Sequence, residues 1–135
     1  MSKKKLFISC PMKGRTEENI RKSMEKMHKL AEIYFDQELE VIPSYIEHTP
    51  PETNNQAIWY LGESIKKLSE ADYFVGIGYS GGSWKGCHSE WEVAGNYGIP
   101  RLQVNYYLLM PDCAEIERVN CKSTDIIVAP SESEY

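Results

Sequence analysis

The chain has little positive charge and no long apolar segment, and both absences limit what it can do. Its 15 Lys and Arg side chains are outnumbered by 20 Asp and Glu, so the formal net charge is −5. The longest basic run is Lys3–Lys5, and the basic footprint that binds a nucleic-acid backbone is missing. Only LFISC lies between these lysines and Pro11, which is too short for a signal peptide, and no apolar run could span a bilayer. We therefore expect a cytoplasmic protein that binds neither nucleic acid nor membrane.

Metal-binding spacing is also missing, because no Cys-x-x-Cys pair occurs and the histidines share no ligand spacing with the cysteines. The residues concerned are Cys10, Cys87, Cys113, Cys121, His28, His48 and His88. Scattered cysteines of this kind are typically buried and reduced. The sequence predicts neither a metal site nor a cofactor.

The length of 135 residues, with 41% hydrophobic side chains, fits one globular domain over residues 1–135. Apolar runs that predict strands cover residues 4–10, 39–45, 73–78 and 101–107, and a weaker one covers 124–130. Helical periodicity follows the N-cap candidate Thr16, runs from about Gln56 to Glu70, and runs from Cys87 to Tyr97 before Gly98. Strands that alternate with helices predict a parallel sheet covered on both faces.

In such a sheet the ligand crevice lies beyond the carboxyl ends of the strands. The loops expected there are CPMKGR, SYIEHTPPETNN, YSGGSWKG and the residues after Tyr107. The motif GIGYSG matches the dinucleotide fingerprint, but it follows the third strand and no helix begins at Gly81. GGSWKG is not a P-loop either, because Lys85 precedes the second glycine. A glycine-rich loop that leads into a helix still predicts a seat for a phosphate or another anion.

Glu90 is the first candidate for chemistry. We expect it in the first turn of a helix that begins near Cys87, where free N–H groups favour its ionised form. An ionised carboxylate suits attack on an anomeric carbon, although a first-turn Glu can also serve only the helix dipole. Glu92 lies about 200° further around the helix, so only one of the two carboxylates can face the crevice.

Aromatic and histidine side chains near these loops leave two interpretations open. Trp59, Tyr60, Trp84 and Trp91 could stack on a nucleobase or pack in the core or its rim. His48 and His88 could transfer protons or be incidental.

Three blocks of the sequence resemble the nucleoside 2-deoxyribosyltransferase-like superfamily, and most closely a branch of small bacterial and phage proteins. They are LFISCPMKGRTEENI, WYLGESIKKLSEADYFVGIG and KGCHSEWEVAGNYGIP. The resemblance covers residues 4 to about 105 and divides the domain into a core, 4–107, and a C-terminal extension, 108–135. It implies a three-layer flavodoxin-like sheet of about five strands in the order 2-1-3-4-5. It also implies a (deoxy)nucleoside or nucleoside monophosphate as substrate, and a homo-oligomer, because relatives complete their pockets across a subunit interface.

The resemblance selects between the two carboxylates. Relatives carry a catalytic Glu in a block of the form G-x-x-x-E-x-x-x-A-x-x-x-G-x-P, which Gly86, Glu90, Ala94, Gly98 and Pro100 match. Glu90 is therefore the implied nucleophile, and Glu92 matches a non-catalytic position. The implied substrate-binding residues are Phe7, Ser9, Cys10, Pro11, Met12, Gly14, Ser64, Asp72, Ser83, Lys85 and Gly86.

Three departures from the family pattern keep the function open. Phe7 stands where relatives have a Tyr that bonds the catalytic Glu, Ser64 stands in place of an Asp, and Lys85 or Trp84 stands in place of another Asp. A Lys in place of an acid favours a phosphorylated ligand. The same changes also fit a protein that binds a nucleotide or nucleotide-derived signal without turnover. A flavodoxin-like FMN carrier is a weaker third hypothesis.

Overall fold

Strands and helices alternate along the chain in the computed structural model, which describes residues 3–44, 46, 51–80 and 84–109 and the backbone of 126–129. The elements are β1 (Lys4–Ser9), α1 (Glu17–Phe35), β2 (Leu39–Val41), α2 (Gln56–Leu68), β3 (Tyr73–Gly76), α3 (Lys85–Asn96), β4 (Arg101–Val104), a 3-10 turn (Tyr106–Leu109) and β5 (Ile126–Ala129). The predicted three-layer α/β fold of the flavodoxin-like type is confirmed.

The sheet has the strand order β2-β1-β3-β4-β5, and its first four strands are parallel. The weaker fifth strand is confirmed, but it runs antiparallel to β4, with Arg101 opposite Ala129 and Val104 opposite Ile126. The predicted parallel sheet is therefore confirmed for β1 to β4, and only the direction of the fifth strand departs from it. An apolar run predicts a strand without predicting its direction, and an antiparallel edge strand on a parallel sheet is common.

Helix α1 forms where its sequence signals predict it. The Thr16 side chain accepts a hydrogen bond from the Asn19 N–H at 3.1 Å, and Glu17 and Glu18 occupy the first turn, where their charge suits the helix dipole. The helix ends at Phe35, and its C-cap residue, Asp36, adopts a left-handed conformation with φ of 56°. Its buried residues, Ser23, Met27 and Ala31, face the sheet.

Two apolar clusters fill the space on either side of the sheet. On the α1 side, Met27 and Ala31 pack with side chains of the central strands, among them Leu6, Ile8, Val75, Ile77, Leu102 and Val104. On the other side, Leu68 of α2 and Trp91 of α3 pack with Phe7 and Phe74. The Phe7 and Phe74 rings stack at a centroid distance of 5.7 Å. Burial on both faces explains why these strands read as continuous apolar runs.

The boundaries of two elements differ from those that the sequence pattern predicts. Strand β2 stops at Val41, although the Ile42 N–H still donates to the Leu6 carbonyl at 2.9 Å, because Pro43 has no N–H to continue the ladder. Helix α3 begins at Lys85, two residues before the predicted start, and Gly98 follows its end with φ of 77°.

None of the helices in the described part of the chain is long and apolar enough to cross a membrane.

Candidate active site

A cavity of about 600 Å³ opens beyond the carboxyl end of β1, between the loop that follows β1, the segment after β2, and helices α2 and α3. We call it the Glu90 cavity. Its lining residues in the described part of the chain are Phe7, Ile8, Cys10, Met12, Lys13, Ile42, Ser44, Ile46, Ala57, Tyr60, Leu61, Ser64, Lys67, Trp84, Lys85, Gly86, Cys87 and Glu90. The volume lies in the usual range of small-molecule sites, and the location agrees with the predicted crevice.

Glu90 lies on the buried face of α3, where Cys87, Trp91 and Ala94 recur at helical spacing. Its side chain is only 9% exposed. The Ser9 hydroxyl, at the end of β1, donates a hydrogen bond to Glu90 Oε1 at 2.6 Å, and the Ser64 hydroxyl of α2 also bonds to this carboxyl. Three elements of the fold therefore hold one carboxyl group at the wall of the cavity.

The electrostatic state of Glu90 differs from the expectation. Because α3 begins at Lys85, Glu90 lies in the second turn, beyond the free N–H groups of the helix start. Burial raises the pKa of Glu90, and the hydrogen bonds from Ser9 and Ser64 offset only part of that rise. The sequence predicted that the helix start would favour the ionised form of Glu90 and so lower its pKa. That prediction was wrong, because the pKa of Glu90 is raised.

Two free thiols line the same cavity. Burial raises the pKa of Cys10 to about 11, although the nearby Arg15 charge lowers it. Burial also raises the pKa of Cys87 to about 12; a hydrogen bond with Ser9 opposes this, while Glu90 and Cys10 add to it. Both side chains are neutral at physiological pH and are poor nucleophiles in that form. Glu90 is therefore the better candidate for covalent chemistry among these three groups.

Most of the predicted site residues lie together. Phe7, Cys10, Met12, Ser64, Lys85 and Gly86 line the Glu90 cavity with Glu90 itself. Ser9 lies behind this lining, fully buried, and reaches Glu90 through its hydroxyl. Its hydroxyl is thus used on the carboxyl, whereas Phe7, which lines the cavity, has no hydroxyl to offer.

Other predicted site residues are not part of the cavity lining. Pro11 is buried in the loop after β1, and Gly14 forms an exposed turn with φ of 78° in the same loop. Asp72 lies at the opposite, amino-terminal end of the strands, where its Oδ2 accepts a hydrogen bond from the Lys5 N–H at 2.8 Å. Asp72 comes before β3 rather than after it, so it secures the starts of two strands. Ser83 lies outside the described residues.

Arg15 is a residue that the sequence reasoning missed. Its guanidinium donates to the Pro11 carbonyl at 2.8 Å, to the Ser23 hydroxyl at 2.6 Å and to the Leu109 carbonyl at 3.1 Å. These bonds tie the loop after β1 to α1 and to the 3-10 turn. Arg15 therefore fixes the loop that carries Cys10 and Met12, and no short motif marks such a role.

Helix α2 presents a face to the cavity that the apolar pattern did not indicate. The apolar periodicity between Gln56 and Glu70 predicts a buried stripe of Ile58, Leu61, Ile65 and Leu68, but Ile58 is 65% exposed. The residues that line the cavity are Ala57, Tyr60, Leu61, Ser64 and Lys67, which recur at three and four positions. This mixed face could have been found by asking which residues share a side of the helix with Ser64.

The aromatic candidates separate into two groups. Tyr60 and Trp84 line the Glu90 cavity and can offer a ring face to a ligand. Trp91 is a core residue, with the Arg101 guanidinium 4.1 Å from its ring centroid, and Trp59 is not among the cavity residues. The ring of His88 lies 5.3 Å from that of Tyr79, outside the lining, and His48 lies outside the described residues.

A second, more open groove of about 1020 Å³ adjoins the Glu90 cavity along α1. The two spaces share the lining residues Ile8, Met12, Ser44, Ile46 and Tyr60.

Within the described residues, no group of three or more His, Cys, Asp or Glu side chains is arranged to hold a metal ion. No protein-family model, curated protein or solved structure matches this chain.

Proposed function

We propose that this protein cleaves the N-glycosidic bond of a (deoxy)nucleoside or nucleoside monophosphate, as a hydrolase or a transferase, with Glu90 as the nucleophile. The observation that carries the proposal is the placement of Glu90, a nearly buried carboxyl that accepts hydrogen bonds from Ser9 and Ser64 at the wall of the Glu90 cavity. The resemblance of KGCHSEWEVAGNYGIP to the catalytic block of deoxyribosyltransferases supports the same residue.

The proposed reaction has two steps at the sugar carbon C1′. Ionised Glu90 attacks C1′, the C1′–N bond breaks through an oxocarbenium-like transition state, and its electron pair leaves with the base, which takes a proton from water. A water molecule or a second base then attacks C1′ of the glycosyl ester. The C1′–Glu90 bond breaks, the carboxylate is restored, and the attacking group loses its proton to water.

The raised pKa of Glu90 has a direct consequence for this reaction. Only the ionised carboxylate is a nucleophile, so the activity falls on acidification with an apparent pKa above that of an ordinary Glu. The Ser9 and Ser64 hydroxyls favour the ionised form. These two residues therefore act as positioning residues for Glu90.

The test is a base-release assay over the common nucleosides and their 5′-monophosphates, with the wild type, Glu90→Gln and Glu92→Gln. Loss of a catalytic nucleophile costs about 10³-fold or more in rate, so Glu90→Gln should release no measurable base. Glu92→Gln is the matched control, because it changes the same side chain two positions away on α3. Equal base release by Glu90→Gln and the wild type would remove Glu90 from the mechanism.

A binding protein that uses the same cavity without turnover is the second candidate. Phe7 favours it, because its ring stacks on Phe74 and offers no hydroxyl to Glu90. Mass spectrometry of ligand that co-purifies with the wild type separates the two functions. An intact nucleotide, together with no base release by the wild type, would support binding alone, whereas a free base or sugar would support cleavage.

We also propose a homo-oligomer whose interface includes the start of α2. Ile58 is 65% exposed there, and the neighbouring Ala57 and Tyr60 line the Glu90 cavity, so a second copy on this helix would cover apolar surface beside the site. Light scattering coupled to gel filtration tests this. Ile58→Glu should lower the measured mass to that of one chain, and a wild type that is already monomeric would contradict the proposal.

A further inference from the structure

Three lysines from three different segments of the chain line the Glu90 cavity, and we call them the lysine cluster. Lys13 lies in the loop after β1, Lys67 in the last turn of α2, and Lys85 at the first residue of α3. Glu90 is the only carboxyl among the described lining residues, and burial raises its pKa. In a chain of net charge −5, this cavity is a local concentration of positive charge.

The three charges have no acidic partner within the described residues. Other lysines of the chain do: Lys66 lies 2.9 Å from Glu63, and Lys5 lies 3.5 Å from Glu70. The contrast is sharpest between Lys66 and Lys67, which are consecutive on α2. Lys66 forms its ion pair on the helix surface, whereas Lys67 lines the cavity. The cavity therefore gathers cations that no acidic side chain of the described residues compensates.

The start of α3 adds further donors to the same space. Its N-cap residue, Trp84, makes no side-chain capping bond, and the first backbone bond of the helix runs from the His88 N–H to the Trp84 carbonyl. The N–H groups of Lys85, Gly86 and Cys87 thus have no partner within the helix, and all three residues line the cavity. Free N–H groups at a helix start favour an anion, and lysines nearby favour it as point charges.

We infer that the Glu90 cavity takes its ligand as a phosphate ester, with the phosphate held by Lys13, Lys67 and Lys85. This inference rests on the proposed function for the nucleoside part of the ligand, but its charge argument is independent of any bond cleavage. A phosphate monoester carries about −1.5 to −2 at neutral pH, which three lysines neutralise with charge to spare. The lysine cluster would therefore let the protein select a nucleotide over the corresponding nucleoside.

Binding measured without turnover tests the inference directly. Calorimetric titrations use Glu90→Gln with the four common deoxynucleosides and their 5′-monophosphates, and inorganic phosphate serves as a competitor. We expect at least one monophosphate to bind about 10-fold or more tightly than its nucleoside, to be displaced by phosphate, and to weaken as salt is raised. Lys67→Gln in the same background should lower that preference several-fold.

Two controls isolate the role of charge. Lys66→Gln removes a neighbouring positive charge from the same helix turn and should leave the preference unchanged. Lys67→Arg keeps the charge and should retain most of the preference for the monophosphate. Circular dichroism melts of each variant show whether it is folded at the assay temperature, and the preference is compared only between folded variants.

The outcomes that overturn the inference differ from those that overturn the cleavage reaction. Equal affinity for nucleoside and monophosphate, no binding of any monophosphate, or an unchanged preference in the Lys13→Gln/Lys67→Gln/Lys85→Gln variant would each overturn the phosphate site. Tight nucleotide binding with no base release by the wild type would instead leave the phosphate site standing and overturn the proposed chemistry.

Discussion

The hydroxyl of Ser9 donates a hydrogen bond to Oε1 of Glu90 at 2.6 Å, although 81 residues separate the two in the chain. The bond joins the last residue of β1 to the second turn of α3 inside the protein. It gives a buried carboxyl one of its two hydroxyl partners, the other being Ser64. The ionisation of Glu90 therefore depends on how β1 and α2 dock against α3.

Replacing Ser9 by Ala should move the ionisation of Glu90 to higher pH. The hydroxyl lowers the pKa of Glu90, so its loss raises that pKa further, and the acid limb of the pH–rate profile should shift upward. The unmet buried acceptor should also cost about 1–3 kcal/mol of stability at neutral pH. Ser69→Ala, which removes an exposed hydroxyl after α2, is the control. An unmoved acid limb in Ser9→Ala would contradict the positioning role.

Glu90→Gln should stabilise the fold at neutral pH. The pKa of Glu90 is higher in the folded protein than in the unfolded chain, because burial disfavours its charge. Above the folded pKa the folded state carries that cost, whereas below the unfolded pKa both states hold a neutral carboxyl. The difference in melting temperature between the variant and the wild type should be positive at pH 8 and shrink as the pH falls toward 4. Melting curves at several pH values measure it, with Glu92→Gln as the control.

A pair of glycine substitutions should have opposite effects on stability. A Cβ at Gly95 in α3 would lie 2.5 Å from Cζ of the buried Arg101, so Gly95→Ala should force this side chain off Trp91 and cost about 1–3 kcal/mol. Gly62 lies in α2 with open space at the same atom, and Gly62→Ala should stabilise by about 0.5–1 kcal/mol. Urea denaturation measures both, and a stabilising Gly95→Ala would refute the close contact.

Arg15→Met should loosen the loop after β1. It removes hydrogen bonds to the Pro11 carbonyl, the Ser23 hydroxyl and the Leu109 carbonyl, and a loss of about 3 kcal/mol in unfolding free energy is expected. Arg21→Met is the matched control, because Arg21 is exposed on α1 and forms an ion pair with the exposed Glu25. A similar stability for both variants in urea denaturation would show that Arg15 does not fix the loop.

Cys10 and Cys87 should resist alkylation in the folded protein. Their pKa values of about 11 and 12 leave almost no thiolate at pH 7.5, and both side chains are buried. Iodoacetamide treatment followed by peptide mass spectrometry should find both residues unmodified in buffer and fully modified in denaturant. Rapid modification of either residue in buffer would show that its environment lowers the pKa.

Local signals in the sequence predicted the elements well because their causes are local. Thr16 and the acids after it mark the start of α1, and Gly98 marks the end of α3. The direction of β5 could not be predicted in this way, since strand direction depends on the path of the chain rather than on the residues of the strand. The position of Glu90 at the crevice was predictable, and its tertiary surroundings were not.

The raised pKa of Glu90 is one property that the local sequence does not predict. The sequence indicates a helix start near Cys87, which alone favours ionisation, whereas the burial that opposes it arises from the docking of β1 and α2. Lys67 is a second case, because its role depends on which face of α2 meets the cavity. Both properties belong to the assembled fold rather than to any segment of it.

The position of β1 between β2 and β3 also has a consequence for how the protein folds. β1 pairs Lys4 with Leu39 on one side and Leu6 with Tyr73 on the other, so the centre of the sheet consists of contacts between distant parts of the chain. Such contacts require large loops to close before they stabilise anything, and folding is correspondingly slow. Because the Ser9–Glu90 bond needs β1 and α3 in place together, ligand binding should return only at the end of refolding.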